Sequence, residues 1–278
     1  MRSQRNACGF HVSRIETFSA TIFFVKISAT VITLNEECSI SRALASLDWA
    51  DEIIVVDSGS TDRTREIAES FGVKIIHRDW TGFSDQKQFA ADSAENDWIF
   101  SLDADEQISP ELRDEIIRIE ETQPNANGYK IPRLAFYMNR PIRHSGWYPD
   151  SQLRLYNRTK GRWKNVPVHE SVEMSEGSNV SKLKGDILHF SVQGASHHHR
   201  MIGERYAPLA ARGMLDSGRR TSVAKILFAA PSAFIRSYIL KMGFLDGLPG
   251  MAIANFAAHH AFLKHLLLWE LQQTKKES

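Results

Sequence analysis

The chain has 278 residues, 42% of them apolar and 24% charged, with a formal net charge of +1 at pH 7. Such a composition can bury a real core, and the near-zero net charge excludes the broad positive field that nucleic-acid binding draws on. The two cysteines, Cys8 and Cys38, exclude a disulfide framework and a cysteine zinc cage, and suit a reducing compartment.

Residues 1–26 read as an N-terminal tail without a clear pattern. The run "FSATIFFVKISATVITL" at 18–34 is apolar apart from Lys26. That lysine, and the continuation into a strand pattern, argue against a signal peptide or a membrane span. A first buried strand is predicted over Ile27 to Thr33, followed by a helix on Ile40, Ala43, Leu44 and Leu47. "EIIVVD" predicts a second strand. A helix capped by Ser60 or Thr61 and stopped at Gly72 comes next, with Asp62 as an acid in its first turn. "VKIIH" is a third strand, "FSDQKQFAADSAEN" a helix and "DWIFSLD" a fourth strand. Ser109 then caps a helix with Pro110 at its first position. Strand–helix alternation at this spacing predicts an α/β fold, a mostly parallel sheet with helices on both faces.

Ligands in such sheets sit beyond the carboxyl ends of the strands. The polar residues at those ends are Asn35 and Glu36, Asp57 to Ser60, and Asp103 to Glu106. The last set raises a physical question. "SLDADE" follows an apolar strand with three carboxylates, which repel one another and are costly beside a core. A metal, a basic side chain or a helix N-terminus must offset them. After residue 125 the pattern changes to short strands, "GYKIPR", "QLRLYNR", "RWKNVPVHESV" and "GDILHFS". From about residue 195 it becomes helical and basic. Between Ala195 and Gly243 eight Lys or Arg stand against two acids, a net of +6.

"TLNEE", "VVDSGSTDRT" and "LDADE", in this order and at strand ends, resemble the nucleotide-sugar half of glycosyltransferase family 2, with its GT-A fold. "GWYPDSQLRLYNR", "VHE" and "ILHFS" are similar to the β-1,4-glucosyltransferase-like branch that adds sugars to the lipopolysaccharide inner core. The resemblance covers roughly Ile27 to Ser196. It implies a catalytic domain at 27–194, with a nucleotide-sugar half at 27–125 and an acceptor half at 126–194, and a C-terminal helical region at 195–278. It implies a UDP-sugar donor, a divalent Mg²⁺ or Mn²⁺ ion, and inverting transfer of a hexose.

By that resemblance Asp105 binds the metal, Asp103 lies near the ribose and the metal, and Asp57 lies near the uracil. Asn35 and Glu36 contact base or ribose, and Lys87 reaches the nucleotide. Plainer readings stand beside these: helix caps for Asn35 and Glu36, a helix acid for Asp57, an exposed helical lysine for Lys87. Glu106 is either a supporting partner or a solvated neighbour. An inverting transfer needs a base for the acceptor hydroxyl. Glu170 in "VHE" is nominated, with Asp150 as rival. His169 orients Glu170 or is structural, and His189 completes the metal ligation or is structural. Trp147 and Arg154 are assigned to the acceptor or to phosphate.

The segment Thr221 to Leu271 is apolar but interrupted by Lys225, Pro231, Arg236 and Lys241, so no uninterrupted span of about 20 apolar residues is expected. The pattern fits helices lying on an anionic membrane surface, with Phe228, Phe234, Ile235, Tyr238 and Leu240 toward lipid, or helices packed on the catalytic domain or in a dimer. A lipid-linked saccharide acceptor places the chain at the inner face of the cytoplasmic membrane. Three other classes lack their signatures in this sequence. A nucleotidyltransferase would show a Gly-rich loop after the first strand, a dinucleotide-binding protein would show G-x-G-x-x-G there, and an inactive scaffold would have lost its acids. No oligomeric state follows from the pattern.

Overall fold

The structure is a computed structural model that describes residues 24–164, 170–192 and 194–277. Its first half follows the expected alternation: β1 (Ile27–Thr33), α1 (Ile40–Ala45), β2 (Glu52–Asp57), α2 (Thr64–Ser70), β3 (Lys74–His77), α3 (Phe83–Asp92), β4 (Trp98–Asp103), then β5 (Glu106–Ile108) and α4 (Pro110–Thr122). Strand β1 is short, rich in β-branched residues and buried at all seven positions. It lies between β2 and β4, parallel to both, as a strand covered on both faces should.

The two-residue period of β1 sorts its side chains. Ile27, Ala29 and Val31 join Leu44, Leu47, Leu112 and Ile116 beneath α1 and α4. Ile32 joins Val56, Ile99, Tyr156 and the alanines of α3 on the other face. Helices therefore cover both faces, and α4 starts as expected, with the Ser109 hydroxyl accepting from the Leu112 N–H at 3.2 Å and Pro110 at the first position.

Helix α2 departs from expectation. It starts at Thr64, not after a Ser60 or Thr61 cap. Those two residues instead tie the loops after β1 and β2 together. The Ser60 hydroxyl accepts the Asn35 N–H at 2.9 Å, and Asn35 Oδ1 accepts the Thr61 N–H at 2.8 Å. Short polar side chains compete with helix for local backbone groups, and here the loop wins. The expected stop at Gly72 is present, with φ +68°.

The second half adds β6 (Gly128–Tyr137), β7 (Arg140–Pro141), β8 (Asp150–Asn157), β9 (Gly161–Trp163), β10 (Val172–Met174), β11 (Val180–Lys182) and β12 (Ile187–His189). These strands extend the same sheet, in the order β3-β2-β1-β4-β8-β6-β12-β5, and β9 and β10 form a separate pair. Strand β8 runs antiparallel to both β4 and β6. The N-terminus of β8 thus lies at the edge where β4 and β6 end. Parallel pairing with β6 brings the end of β12 there too, and β5, antiparallel to β12, begins there.

The C-terminal segment is helical: α5 (Ala195–Arg200) runs through a wide turn at Met201–Tyr206 into α6 (Ala207–Asp216), followed by α7 (Val223–Ile235), a second wide turn at Arg236–Leu240, a tight turn at Gly243–Asp246 and α8 (Gly247–Glu277). Side chains of α8 dock on the sheet body where Ile253 meets Tyr137 and Ile142. The start of α8 approaches the preceding turn so closely that a Cβ on Gly250 would lie 1.9 Å from the Gly243 carbonyl oxygen. Asp246 fastens the joint, accepting the His144 N–H at 2.9 Å and facing His144 Nδ1 at 2.8 Å.

The helical path through 223–240 continues past Pro231 and Arg236, and its mean apolarity survives the interruptions expected to deny it a span. By length and composition alone, Val223–Leu240 could cross a membrane, and 6% of it is buried. A proline removes one backbone donor, which a helix can tolerate at a local turn adjustment.

Candidate active site

The sheet's polarity gathers the site. Glu36 after β1, Asp57 at the end of β2, Asp103 and Asp105 at the end of β4, Glu106 opening β5, Asp150 opening β8 and His189 ending β12 all stand at one edge. The question posed by "SLDADE" is answered first by basic side chains. Asp103 Oδ1 lies 2.8 Å from Lys87 Nζ, and its Oδ2 accepts from Arg154 Nη2 at 2.9 Å. Glu106, 0% exposed, accepts from the same Arg154 nitrogen at 2.8 Å and from Arg133 at 3.3 Å, and its other oxygen accepts the Asp103 N–H at 2.9 Å. Glu106 is therefore a buried supporting partner and not a solvated neighbour. Burial alone would raise the Asp103 carboxyl, but the Arg154 charge, then Lys87, outweigh it and hold it well below the usual range.

Lys87 is not an exposed helical lysine. It is 2% exposed, and its ammonium also faces Glu170 Oε1 at 3.4 Å and the Trp163 ring at 5.0 Å. One cation on α3 thus bridges the donor-side acid Asp103 and the nominated base. Arg154, expected on the acceptor or phosphate side, borders the cavity that holds Lys87 and Glu170. It is 3% exposed, beneath Asp103 and Glu106, because two carboxylates this close to the core require a fixed guanidinium.

Asp150 is held by Arg133, through Nε at 2.9 Å and Nη2, and by Gln152. Burial raises its carboxyl, and Arg133 lowers it by more, so the net shift is downward. Asp57 is 2% exposed and accepts the Gly59 and Ser60 N–H groups at 3.2 Å; it holds the turn after β2. Asn35, with φ +55°, links that turn to the end of β1. Trp147 packs against Tyr137 and His198, beside a cavity that also holds His189 and Asp150. His169 lies outside the described residues.

Asp105 points the other way. Its Oδ2 lies 3.2 Å from His189 Nε2. Burial would lower this imidazole, yet Asp105 and then Glu106 raise it. Glu36 is raised, first by burial and then by the charge of Asp105. A carboxylate beside an imidazole nitrogen is a donor pair suited to a divalent cation. Among the described residues no group of three or more His, Cys, Asp or Glu side chains is close enough to hold one alone. The set therefore fits an ion that takes part of its coordination from a bound ligand, with Asp105 and His189 as the protein's contribution. Asp103, also named as a metal ligand from the sequence, has its carboxylate engaged by Lys87 and Arg154.

Sequence reasoning missed Arg133, which holds both Glu106 and Asp150. The available signal was its place on the strand paired with β8, opposite Asp150. It also missed Arg205 and Tyr206, which close the cavity over Lys87 and Glu170 from the C-terminal helices; no local pattern marks that contact.

A model for Glycosyl transferase family 2 matches residues 28–176. The chain belongs to glycosyl transferase family 2. It is a glycosyltransferase of the GT-A fold, with the mixed, mostly parallel sheet and C-terminal helices described above. A family member from Rhizobium meliloti (strain 1021), named lipopolysaccharide core biosynthesis glycosyltransferase LpsC, is 30% identical over 90% of this chain and 94% of its own length. An uncharacterized glycosyltransferase from Rickettsia bellii (strain RML369-C) is 33% identical over 88% of this chain and 87% of its own. Among solved structures, S. aureus TarS 1–349 in complex with UDP-GlcNAc is 16% identical with a TM-score of 0.44, covering 90% of this chain and 92% of that one.

Proposed function

We propose that this family 2 enzyme moves a hexose, glucose first among the candidates, from a UDP-sugar to a saccharide of the lipopolysaccharide core or a related cell-envelope glycolipid, with inversion and with a divalent metal. The observation that carries the reading is that Lys87 contacts both Asp103, at the end of β4, and Glu170, while Asp105, two residues on, faces His189. The long match to LpsC supports the choice of acceptor.

In this reading Asp105 and His189 hold Mg²⁺ or Mn²⁺, which neutralises the diphosphate leaving group when bound. Asn35, Glu36 and Asp57 line the nucleotide side, and Asp103 is kept anionic and fixed by Arg154 and Lys87 to face the ribose. Glu170 takes the proton from the acceptor hydroxyl as that oxygen attacks the anomeric carbon. Its position on Lys87 keeps a carboxylate at the acceptor side of the donor acids. Asp150 is the weaker base, because Arg133 stabilises its anion. Trp147 offers an aromatic face to the acceptor.

The working place is the cytoplasmic face of the inner membrane. Supporting this, Leu227, Phe228, Ile235 and Leu240 are all exposed on the C-terminal helices, with Arg219, Arg220 and Lys225 exposed near the start of α7. Anionic lipid suits such a surface.

Purified protein incubated with a panel of nucleotide sugars, with and without Mn²⁺, is expected to turn over a UDP-hexose only with metal. Asp105→Ala should lose transfer and bind UDP more weakly while remaining folded. Full activity of that variant, or of wild type in excess chelator, overturns the metal-dependent mechanism.

A further inference from the structure

Between α7, α8 and the loop after β7 lies a cavity of about 460 Å³ that the chemistry above does not use. Three cations border it: Arg236, Lys241 and Lys264. Among the described residues no aspartate or glutamate lines it, and none of the three cations has a carboxylate partner. A folded chain seldom groups cations around a hollow without an anion to receive them.

Four neutral polar atoms here are unpaired as well. The hydroxyls of Ser145 and Ser237, both residues 6% exposed, have no hydrogen-bond partner, and neither do His198 Nδ1 and His260 Nε2. Buried polar atoms are nearly always satisfied, so four of them around one hollow point to a polar occupant. Burial, with a smaller push from His197, draws His198 down to about 4. Burial and then the Lys264 charge draw His260 and His265 down. The imidazoles are thus neutral donors and acceptors at neutral pH, and the positive charge belongs to the arginine and the lysines. Trp147, Tyr206 and Phe256 complete the wall with the aromatic faces that sugar rings pack against.

The cavity is also in the right place. Trp147, His198 and Tyr206 border a second cavity containing His189 and Asp150. Tyr206 further borders the one containing Lys87 and Glu170. On the outer side, α7 carries the exposed Leu227 and Phe228. A ligand with acyl chains on that surface and a charged saccharide head in the hollow would have its far end among the acids.

We propose that this cavity binds the anionic saccharide head of the acceptor, with Arg236, Lys241 and Lys264 holding its phosphate or carboxylate groups and Trp147 and Tyr206 guiding its reactive end toward Glu170. The inference rests on the reading of the acceptor as a charged glycolipid. The rival source of the same anionic chemistry is a phospholipid headgroup.

The test titrates the full-length protein with three probes, following tryptophan fluorescence and heat. They are a deacylated lipopolysaccharide core oligosaccharide with its charges intact, the same oligosaccharide with phosphates removed and carboxylates reduced, and phosphatidylglycerol vesicles. The charged oligosaccharide should bind at least about tenfold more tightly than the neutral one. Arg236→Gln and Lys264→Gln should each weaken it by about tenfold or more, the usual weight of a charge-assisted contact, with UDP binding unchanged. Equal binding of the two oligosaccharides to wild type overturns the proposal, and that comparison needs no variant to fold. Vesicle binding that depends on Arg236 and Lys264, without oligosaccharide binding, assigns the cavity to a lipid headgroup and also overturns it. UDP-sugar binding separates the two levels. If wild type does not bind a UDP-sugar, the functional reading falls and this inference with it. If it does but ignores the charged oligosaccharide, the inference alone falls.

Discussion

The sheet body and the C-terminal helices use apolar residues in opposite ways. In the body, β1 is buried at all seven positions and its side chains divide between two cores. On α7, Val223, Leu227, Phe228 and Ile235 are each at least half exposed, and none of its residues is buried. An exposed apolar face of this extent marks an interaction surface and not a defect of folding. The charges differ in the same sense. The buried cations of the site, Arg154 and Lys87, are locked onto carboxylates, Arg154 onto Asp103 and Glu106 and Lys87 onto Asp103 and Glu170. Arg236, Lys241 and Lys264 have none among the described residues. The charges at the body's site are answered from within the body, and those of the C-terminal hollow are not.

The sharpest way to break this contrast is Arg154→Met. It leaves Asp103 and Glu106 without their shared cation, and removing one member of a buried charge cluster costs about 3–5 kcal/mol. Urea unfolding should show that loss, together with loss of UDP-sugar turnover; a change under about 1 kcal/mol would mean that the cluster is not held as described.

Next in size, Glu170→Gln should lower transfer by roughly 10²–10⁴-fold while UDP binding changes little. Asp150→Asn should do much less. The reverse ranking moves the base to Asp150.

A smaller effect tests a local conflict inside the body. Glu120 on α4 has its carboxyl raised to about 7, first by burial and then by Asp51 and Glu121. Because the folded-state value lies above the unfolded one, the folded chain favours the protonated form. Stability should therefore fall as pH rises from about 4 to 7 and stay lower above that. Glu120→Gln should remove this slope and gain about 1 kcal/mol at most at pH 8, after solvent screening of a half-exposed group. Urea midpoints across pH measure it; an unchanged slope in the variant refutes the cause.

Least of all for stability, Leu227→Gln with Phe228→Gln on α7 should shift unfolding by no more than about 0.5 kcal/mol. The same pair should reduce co-sedimentation with anionic liposomes and leave UDP-sugar hydrolysis intact. A chain truncated at Gly194 that still sediments with liposomes would show that the body, and not the helices, meets the membrane.

Much of the body was legible because its signals are local. Short β-rich runs, Ser109–Pro110 and Gly72 each determine their own neighbourhood. The convergence of acids followed from strand direction alone, and strand direction follows from alternation. Tertiary partners were not legible. Nothing near Asp103 in sequence announces Arg154, 51 positions away, as its counter-charge, so a metal was expected to do work that basic side chains share. Ser60 and Thr61 misled for a different reason: a side chain suited to capping a helix is equally suited to tying two loops, and only the fold decides. In the C-terminal helices the composition reads as apolar and basic, but the interruptions leave Val223–Leu240 apolar enough on average to span.

The polarity of the sheet leaves the molecule with a blank edge opposite its working one. Turns there join β10 to β11, where Gly177 has φ +77° and open space around it, and strand starts such as Gly128 and Val180 pair across it. Because Glu36, Asp57, Asp103, Asp105, Glu106 and Asp150 all stand at the other edge, this one is a natural handle. A short reporter peptide inserted after Gly177 would sit on the side remote from both donor and acceptor, giving a way to immobilise or image the enzyme without blocking its substrates.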